Sequence, residues 1–594
     1  MKHTLLIALC FLLCAPLFAQ KDKRFKDLDK EYEELLEVSQ AAGFAVAIVE
    51  GDQIIYAKGF GFRDYENKKP VDANTLFAIG SSTKAFTSAI LGQLRDDEKL
   101  SFDDSPIEHM PFFSFYNDEM NNSIIIQDLM CHRTGLPRHD FSWYMFPTNN
   151  RDSLLMRVKY QEPFTGVRQQ WYYNNFMFLA QGVIAEKITG KSWEDNVRER
   201  FFKPLGMERS NCTIQEMKDA SNASYGYSVK EDKIVKEDYY DIAAMAPAGS
   251  INSSVNDMTK WAALWIKGGK FNGEEILSPT YTKEAMGSHM VVNQSGPGAD
   301  RPDLHFGNYG YGWFLSSYKG HYRVEHGGNI DGFSANVAFY PSDSVGVIVL
   351  ANQNGSPIPS IARNLAIDRA LGLEQTDWIA DIRSEEGEEE QEEASAEKGN
   401  VKGTKPSHIL MDYTGSYFNP GYGKFSIKLE NDSLFADLAL MRLYLKHYHY
   451  DVFQPMEVTE QGVDTTDGGF LMFNFGMDNN GDITHLTAKI EPTVDPIQFD
   501  REVQAIEVET STLEAYVGEF ELAGMTIKSY IKDENTLYLF VPGQPEYELV
   551  PTGPNKFNFK ILEGFKVEFL EGEEGKFDSV KVIQPNGTFV AKRK

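Results

Sequence analysis

A serine and a lysine three residues apart can form a nucleophile and its general base. This Ser-x-x-Lys pattern occurs four times, at Ser81/Lys84, Ser316/Lys319, Ser395/Lys398 and Ser529/Lys532. Only Ser81 follows a strand-like run with a glycine turn and also opens an apolar helix. The N–H groups and positive dipole at a helix N-terminus favour an attacking alkoxide. Lys84 lies one helical turn further along the same face, within reach of the Ser81 hydroxyl.

To act as a base, Lys84 must be uncharged for part of the time at neutral pH. The pKa of an isolated lysine is ~10.4, so holding the amine neutral at pH 7 costs about 4–5 kcal/mol in water. Burial, the helix dipole and a nearby cation would lower that cost. The structural alternative is an N-cap serine followed by a solvated lysine.

A second segment, Trp-Tyr-Tyr-Asn-Asn-Phe at 171–176, precedes a predicted helix. It offers a tyrosine and an asparagine two residues apart in two registers. One register is Tyr173 with Asn175, and the other is Tyr172 with Asn174. Alone, such a segment is an ordinary aromatic turn.

A third segment, His326-Gly327-Gly328, follows a strand-like run and leads into Asn329. Glycines allow a ligand to approach a strand edge closely, and N–H groups there could stabilise an oxyanion. The order Ser-x-x-Lys, Tyr-x-Asn, His-x-Gly is far more specific than any of the three segments alone.

With these motifs the chain resembles the serine β-lactamase-related, penicillin-binding-protein-like family, near class C β-lactamases, D-aminopeptidases, DD-carboxypeptidases and family VIII esterases. The resemblance covers residues 25–375 and favours the register Tyr173 with Asn175. Further stretches support it, at residues 77–84, 129–137, 204–207, 247–250 and 309–313.

The resemblance implies a role for each residue of the three motifs. Ser81 attacks a carbonyl, while Lys84 and Tyr173 share general-base and general-acid duty. Asn175 orients Lys84 and the substrate, and His326 and Gly328 border the substrate. The backbone N–H groups of Ser81 and Asn329 form the oxyanion hole. The sequence contains no His-Glu-x-x-His and no phosphate-binding Gly-x-x-x-x-Gly-Lys motif, so we expect no cofactor and no metal.

One departure from the family pattern concerns the substrate. His326 stands where β-lactamases and DD-peptidases commonly have a lysine, and a histidine carries only part of a charge near neutral pH. We therefore expect esters, amides or D-amino-acid peptides to be favoured over penicillins. The expected function is an exported serine hydrolase of the peptidase or esterase kind. The alternatives are a β-lactamase or DD-carboxypeptidase, and a catalytically silent scaffold or binding protein.

The strand and helix patterns around these residues predict an α+β fold. Strand patterns occur at both ends of residues 25–375, with helical patterns between them, so the sheet should pair its first and last strands. A helix is expected at 26–40 and a hairpin turn at Gly51-Asp52. His132 and His139 are interpreted as structural residues, and whether Cys131 pairs with Cys212 stays open.

The remaining chain divides by composition. An acidic linker is expected at 376–407, and β-rich modules at 408–505 and 510–594. Tyr-Thr-Gly-Ser-Tyr at 413–417 resembles Tyr-Val-Gly-Glu-Phe, which lies 103 residues later. Such antiparallel patterns commonly close into small barrels, and these resemble lipocalin-like modules that could restrict access to the cleft.

The N-terminus and the overall charge indicate where the protein acts. Residues 1–19 have a basic start, an apolar run and a small residue at Ala19, typical of a signal peptide. We therefore expect a periplasmic or extracellular protein with no membrane span after signal removal. The formal net charge of −29 argues against nucleic acid as a partner. The expected partner is a small-molecule or peptide substrate.

Overall fold

A nine-stranded antiparallel sheet is the centre of the first of two units. The computed structural model describes residues 22–293, 305–380, 382, 400–459, 462–464, 471–479, 481–502, 508–533, 535–562, 565–572, 576–584 and 587–594. In space, the strands of this sheet follow the order Met290–Asn293, Gly307–Tyr309, Phe314–Tyr318, His321–Ile330, Phe333–Tyr340, Val345–Ala351, Gly43–Glu50, Gln53–Asp64 and Lys69–Pro70.

The first strand of the chain pairs with the last strand of this sheet. Phe44 lies opposite Ala351 and Glu50 lies opposite Val345, in antiparallel register. On its other edge, Gly43–Glu50 forms a hairpin with Gln53–Asp64. The predicted α+β architecture, with its paired first and last strands, is confirmed.

Two hydrophobic cores lie on the two faces of the sheet, because successive strand residues point to opposite sides. Ala45 and Ala47 face the larger core, which includes Trp261 and Trp265 of the helix Val255–Ile266. The alternate residues of the same strand face a smaller core, against the helices Leu28–Val38 and Ile358–Ala370. The central strands are therefore buried on both faces, as in Val345–Ala351.

The larger core is formed mostly by helices that lie in the sequence between the strands Gln53–Asp64 and Met290–Asn293. Their bounds are Lys84–Asp96, Pro106–His109, Asp118–Ser123, Ile126–Met130, Asp140–Tyr144, Arg151–Leu155, Asn175–Thr189, Trp193–Val197, Lys203–Leu205, Ile214–Asp219, Ala246–Gly249, Val255–Ile266 and Pro279–Ala285. Short 3-10 turns occur at Lys23–Phe25, Gly80–Thr83, Met156–Tyr160 and Ala243–Met245, and a π-helical turn at Arg198–Phe202. Three small two-stranded sheets are also present. They pair Phe77–Ala78 with Asn252–Ser253, Gly226–Lys230 with Lys233–Glu237, and Lys270–Phe271 with Glu274–Glu275.

Two of these helices, Lys84–Asp96 and Asn175–Thr189, pack against each other inside the core. The Ser88 hydroxyl donates to Gln181 Oε1 at 2.8 Å, which joins them by a buried hydrogen bond. Gly182 allows the second helix to approach Pro247 closely. This packing fixes the relative positions of the two helix N-termini. Cys131 and Cys212 are both buried and free, so they do not pair.

In its described residues the second unit is all β apart from short helical turns at Leu410–Tyr413, Thr510–Leu513 and Glu514–Tyr516. In space, its first sheet follows the order Arg442–His449, Ser433–Asp437, Gly423–Glu430, Gly415–Asn419, Ile497–Glu502, Ile483–Ala488, Phe473–Met477, Val452–Thr459 and Gly462–Val463. A further pairing between Arg442–His449 and Val452–Thr459 closes eight of these strands into a ring. A closed barrel follows, of strands Gly518–Leu522, Met525–Lys532, Thr536–Phe540, Glu546–Gly553, Lys556–Phe559, Lys566–Glu571, Phe577–Gln584 and Gly587–Arg593.

The prediction of two β-rich barrel modules is confirmed. Strands such as Thr536–Phe540 alternate between buried and partly exposed residues, as expected for a barrel filled by its own side chains. Two short segments, 420–423 and 489–497, belong to the first unit. The predicted signal peptide and most of the acidic linker lie outside the described residues. In the described part of the chain, no helix has the length and apolar character needed to cross a membrane.

Replacing Gly182 by alanine should weaken the packing of the buried helix Asn175–Thr189 against Pro247. A Cβ atom there would lie 2.6 Å from Pro247 Cβ, far inside contact distance. Overpacking of this kind lowers the free energy of unfolding by about 1–3 kcal/mol, which exceeds the gain of helix propensity. We expect a net loss of about 1–2 kcal/mol in denaturant unfolding followed by tryptophan fluorescence. All seven tryptophans lie within residues 143–378, so this signal reports on the first unit.

Gly249→Ala is the matched control for this measurement. The nearest atom to an added Cβ at Gly249 is Ile242 Cδ1 at 3.5 Å, an ordinary van der Waals contact. An equal loss of stability in both variants, or none in Gly182→Ala, would contradict the packing account.

Candidate active site

Ser81 and Lys84 lie where a 3-10 turn runs into the buried helix. Ser81 belongs to the turn Gly80–Thr83, and Lys84 is the first residue of the helix Lys84–Asp96. A hydrogen bond of 2.9 Å joins Lys84 Nζ to Ser81 Oγ. A second one, of 2.8 Å, runs from Nζ to the carbonyl oxygen of Ala248. Nζ is thereby held between the hydroxyl and a fixed backbone acceptor.

The other Ser-x-x-Lys patterns do not form such a pair where the structure describes them. Ser316 accepts a hydrogen bond from Arg323, while Lys319 binds the carboxylate of Asp368. Ser529 donates to backbone oxygen within a strand. Ser395 and Lys398 lie outside the described residues. Among the Ser-x-x-Lys patterns that the structure describes, Ser81 and Lys84 are the pair joined by a direct hydrogen bond.

The amine of Lys84 is removed from water. The residue is 0% exposed, and burial lowers its pKa well below the usual lysine value, with Asp140 opposing the shift and Arg138 adding to it. The Tyr173 and Phe178 rings cover Nζ, at 4.8 and 5.4 Å from their centroids. This environment favours the uncharged amine that a general base requires.

Tyr173 is the tyrosine that reaches the Ser81–Lys84 pair. Burial raises the pKa of Tyr173 and the neighbouring Ser81 hydroxyl opposes the shift, so Tyr173 is a neutral phenol at pH 7. The His132 ring lies 4.4 Å from the Tyr173 ring, and His132 Nδ1 accepts from the Asn174 N–H at 3.2 Å. His132, interpreted from sequence as structural, thus positions the segment that carries Tyr173.

The competing register, Tyr172 with Asn174, has a different environment. The Tyr172 hydroxyl donates to Gln170 at 2.8 Å, and its ring packs edge-on against Phe164. Asn174 is the N-cap of the helix Asn175–Thr189, accepting from the Phe176 N–H. Of the two tyrosines, Tyr173 is the one whose ring lies over Lys84 Nζ, so the structure favours Tyr173.

Asn175 makes a contact other than the expected one. We expected it to orient Lys84, but its Nδ2 donates to Asp140 Oδ1 at 2.7 Å. Because Asn175 is the first helical residue, its side chain points back toward the loop before the helix. Asp140 also accepts from Trp143 Nε1 and Arg138 Nε, at 3.0 and 2.6 Å. Asn175 therefore fixes the carboxylate of Asp140.

Glycines occupy the contact between the turn that carries Ser81 and the strand that carries Asn329. A Cβ at Gly328 would overlap the Ile79 carbonyl and lie 2.9 Å from Ser81 N. A Cβ at Gly80 would lie 2.9 Å from Asn329 N. The Asn329 side chain is turned away, donating to Asn354 and accepting from Ser334. The backbone nitrogens of Ser81 and Asn329, the predicted oxyanion-hole donors, both lie at this contact.

His326 is close to the site but carries no charge. It is buried, its Nε2 is hydrogen-bonded to the Tyr309 hydroxyl at 2.9 Å, and burial lowers its pKa to about 3. The sequence predicts a partial positive charge here. That expectation is corrected, because a buried imidazole beside Lys84 remains neutral at pH 7.

Three residues beside the site are not predicted from the sequence: Arg138, Asp140 and Glu491. The Arg138 guanidinium lies over the Tyr173 ring, 4.8 Å from its centroid. Glu491 Oε1 accepts from the Phe141 N–H at 2.9 Å, and burial together with Asp140 raises the pKa of Glu491 to about 8. Arg138 and Asp140 lie within three residues after the family-like stretch 129–137, and this proximity could have indicated them. Glu491 carries no such signal.

The site offers no evident metal centre. Within the described ranges, no group of three or more His, Cys, Asp or Glu side chains could hold a metal ion. The chemistry available to these residues is nucleophilic attack by a serine hydroxyl, assisted by an amine, a phenol and two backbone donors.

Several known proteins are similar to this chain. The Unguisins hydrolase ungD' of Aspergillus campestris is 27% identical over 438 residues, which cover 69% of this chain and 80% of that protein. Protein flp of Staphylococcus aureus (strain MW2) is 24% identical over 346 residues, which cover 57% of this chain and 65% of that protein. The octameric penicillin-binding protein homologue from Pyrococcus abyssi shares the fold, with a TM-score of 0.54 and 20% identity over 80% of this chain and 99% of that one.

Family models match both halves of the chain. The model described as Domain of unknown function (DUF3471) matches residues 400–501, within the first β-rich module. The Beta-lactamase model matches residues 28–371, more than half of the chain, and these residues contain Ser81, Lys84 and Tyr173. The protein therefore belongs to the Beta-lactamase family of serine hydrolases.

Proposed function

We propose that the protein is an exported serine hydrolase that cleaves ester, amide or peptide bonds through an acyl-enzyme on Ser81. The observation that carries the proposal is the 2.9 Å hydrogen bond between Ser81 Oγ and a buried lysine amine. The name of the relative ungD' supports hydrolysis as the reaction. Export rests on the signal-peptide pattern of residues 1–19.

In acylation, the Ser81 oxygen bonds to the carbonyl carbon of the substrate, and its proton passes to the neutral amine of Lys84. The resulting oxyanion is held by the backbone N–H groups of Ser81 and Asn329. Collapse of this intermediate breaks the scissile bond. The departing atom receives a proton through the Tyr173 hydroxyl, which Lys84 reprotonates, so the amine ends uncharged.

In deacylation, the same groups act on water. The Tyr173 hydroxyl and Lys84 take one proton from the water as its oxygen attacks the ester carbon. The Ser81 oxygen leaves and recovers a proton, which restores the free enzyme. The sum is hydrolysis, and the acid and base are both residues of this chain.

The substrate we propose is an ester, amide or peptide, D-amino-acid peptides included, in preference to a penicillin. The residue that stands in place of the family's lysine is His326, a neutral imidazole in this site. It offers no positive charge to a carboxylate lying along the strand that carries Gly328. This weakens the case for a β-lactamase, since that position usually supplies the charge.

Ser81 should be the residue that acyl probes modify. We expect a fluorophosphonate to label the full-length protein, and Ser81→Ala to abolish labelling, because the hydroxyl is the attacking group. Ser316→Ala removes the serine of another Ser-x-x-Lys pattern and should leave labelling intact.

Turnover of p-nitrophenyl esters or D-aminoacyl anilides should exceed that of nitrocefin.

Labelling that persists in Ser81→Ala, or that never occurs in the wild type, would favour a catalytically silent scaffold. Nitrocefin turnover faster than that of every ester and anilide would favour a β-lactamase.

The glycine at 328 should be required for acylation, and its neighbour should not. Gly328→Ala forces Ser81 N and the strand apart, so we expect the labelling rate to fall by ~10²–10³, as for loss of an oxyanion donor. Gly327→Ala is the matched control, because the nearest atom to its added Cβ is the Ala335 carbonyl oxygen at 3.5 Å. It should keep most of the rate. Comparable rates in the two variants would remove the basis for the proposed oxyanion hole.

A further inference from the structure

Arg138 presents a fixed cation at the edge of the site. Its side chain is 55% exposed, and its guanidinium lies over the Tyr173 ring at 4.8 Å from the centroid. Nε donates to Asp140 Oδ2 at 2.6 Å, and Nη2 contacts the same oxygen. Among the described residues, its other N–H groups meet no hydrogen-bond acceptor. A guanidinium held on one edge and open on the other is suited to a carboxylate.

The loop that carries Arg138 is held in place on its far side. His139 Nδ1 is hydrogen-bonded to the Tyr422 hydroxyl at 2.8 Å, and the Ser142 hydroxyl donates to the Gly421 carbonyl at 2.6 Å. Glu491 accepts from the N–H of Phe141. The orientation of Arg138 is therefore set by packing before any ligand arrives, which lowers the entropy cost of binding.

The neighbouring ionisable groups leave Arg138 as the cation available to a substrate. Burial lowers the pKa of Lys84, His132 and His326, so all three favour their uncharged forms. Glu491, with a pKa raised to about 8, is mostly protonated at pH 7 and adds little negative charge. Asp140 is the carboxylate that balances Arg138, and it also accepts hydrogen bonds from Asn175 and Trp143.

The position of Arg138 against the Tyr173 ring places it near the departing part of the substrate. In the proposed function, on which this inference rests, the Tyr173 hydroxyl protonates the departing atom. A group attached to that atom then lies beside the Tyr173 ring, against which Arg138 packs. We propose that Arg138 forms an anion subsite that recognises a carboxylate on the departing part of the substrate. Arg138 thereby takes over the recognition of negative charge that neutral His326 cannot provide.

The test compares two esters that differ only in this charge, a 3-carboxyphenyl and a 3-carbamoylphenyl ester of the same acid. The ratio of kcat/KM for the charged ester over the neutral one should exceed one in the full-length wild type. In Arg138→Gln the ratio should fall by about tenfold or more, as expected for loss of a charge-assisted hydrogen bond. Arg138→Lys should retain part of the preference. High salt should reduce the ratio in the wild type.

Because a distorted loop would slow both esters, the ratio separates recognition from misfolding. Arg198→Gln is the matched control, since Arg198 is a partly exposed arginine paired with Glu216 on a different segment. It should leave the ratio at the wild-type value. A wild-type ratio near one, or an unchanged ratio in Arg138→Gln, overturns the anion subsite while Ser81 labelling still supports the hydrolase. Failure of both esters and of the fluorophosphonate to modify Ser81 overturns the proposed function as well.

Discussion

The burial of one lysine amine against a serine hydroxyl is the constraint on which the rest of the site depends. A charged ammonium in that position would lose its hydration and could not accept the Ser81 proton. The fold meets this constraint by closing aromatic rings over Nζ and by giving it a single backbone carbonyl, that of Ala248, as a fixed partner. The same burial that lowers the pKa of Lys84 also keeps Tyr173 a neutral phenol.

Close backbone packing brings the other half of the site to this pair. The turn before the helix can touch the strand His321–Ile330 only because Gly80 and Gly328 have no side chains at the contact. Gly182 plays a similar part deeper in the core, where it lets one buried helix approach Pro247. The sheet, whose central strands are covered on both faces, provides the rigid frame against which these contacts are made.

Much of this could be predicted from the sequence, because the residues concerned lie in local patterns. The strand, glycine turn and apolar helix around Ser81 distinguish it from three other Ser-x-x-Lys patterns, and periodicity predicts the helix found at Leu28–Val38. The surroundings of the site could not be predicted in the same way. The contact of Asn175 with Asp140, the neutrality of His326 and the approach of Glu491, 350 residues after Phe141, all depend on tertiary packing.

The protonation state of Lys84 is the quantity that tests this account most directly. It can be followed by NMR titration of ¹³Cε-labelled lysine in the full-length protein, with Lys84→Met assigning the signal. The account predicts an uncharged amine at neutral pH, titrating well below the range of the other lysines. A Lys84 signal that stays charged through neutral pH and titrates near the ordinary value of ~10.4 would contradict it.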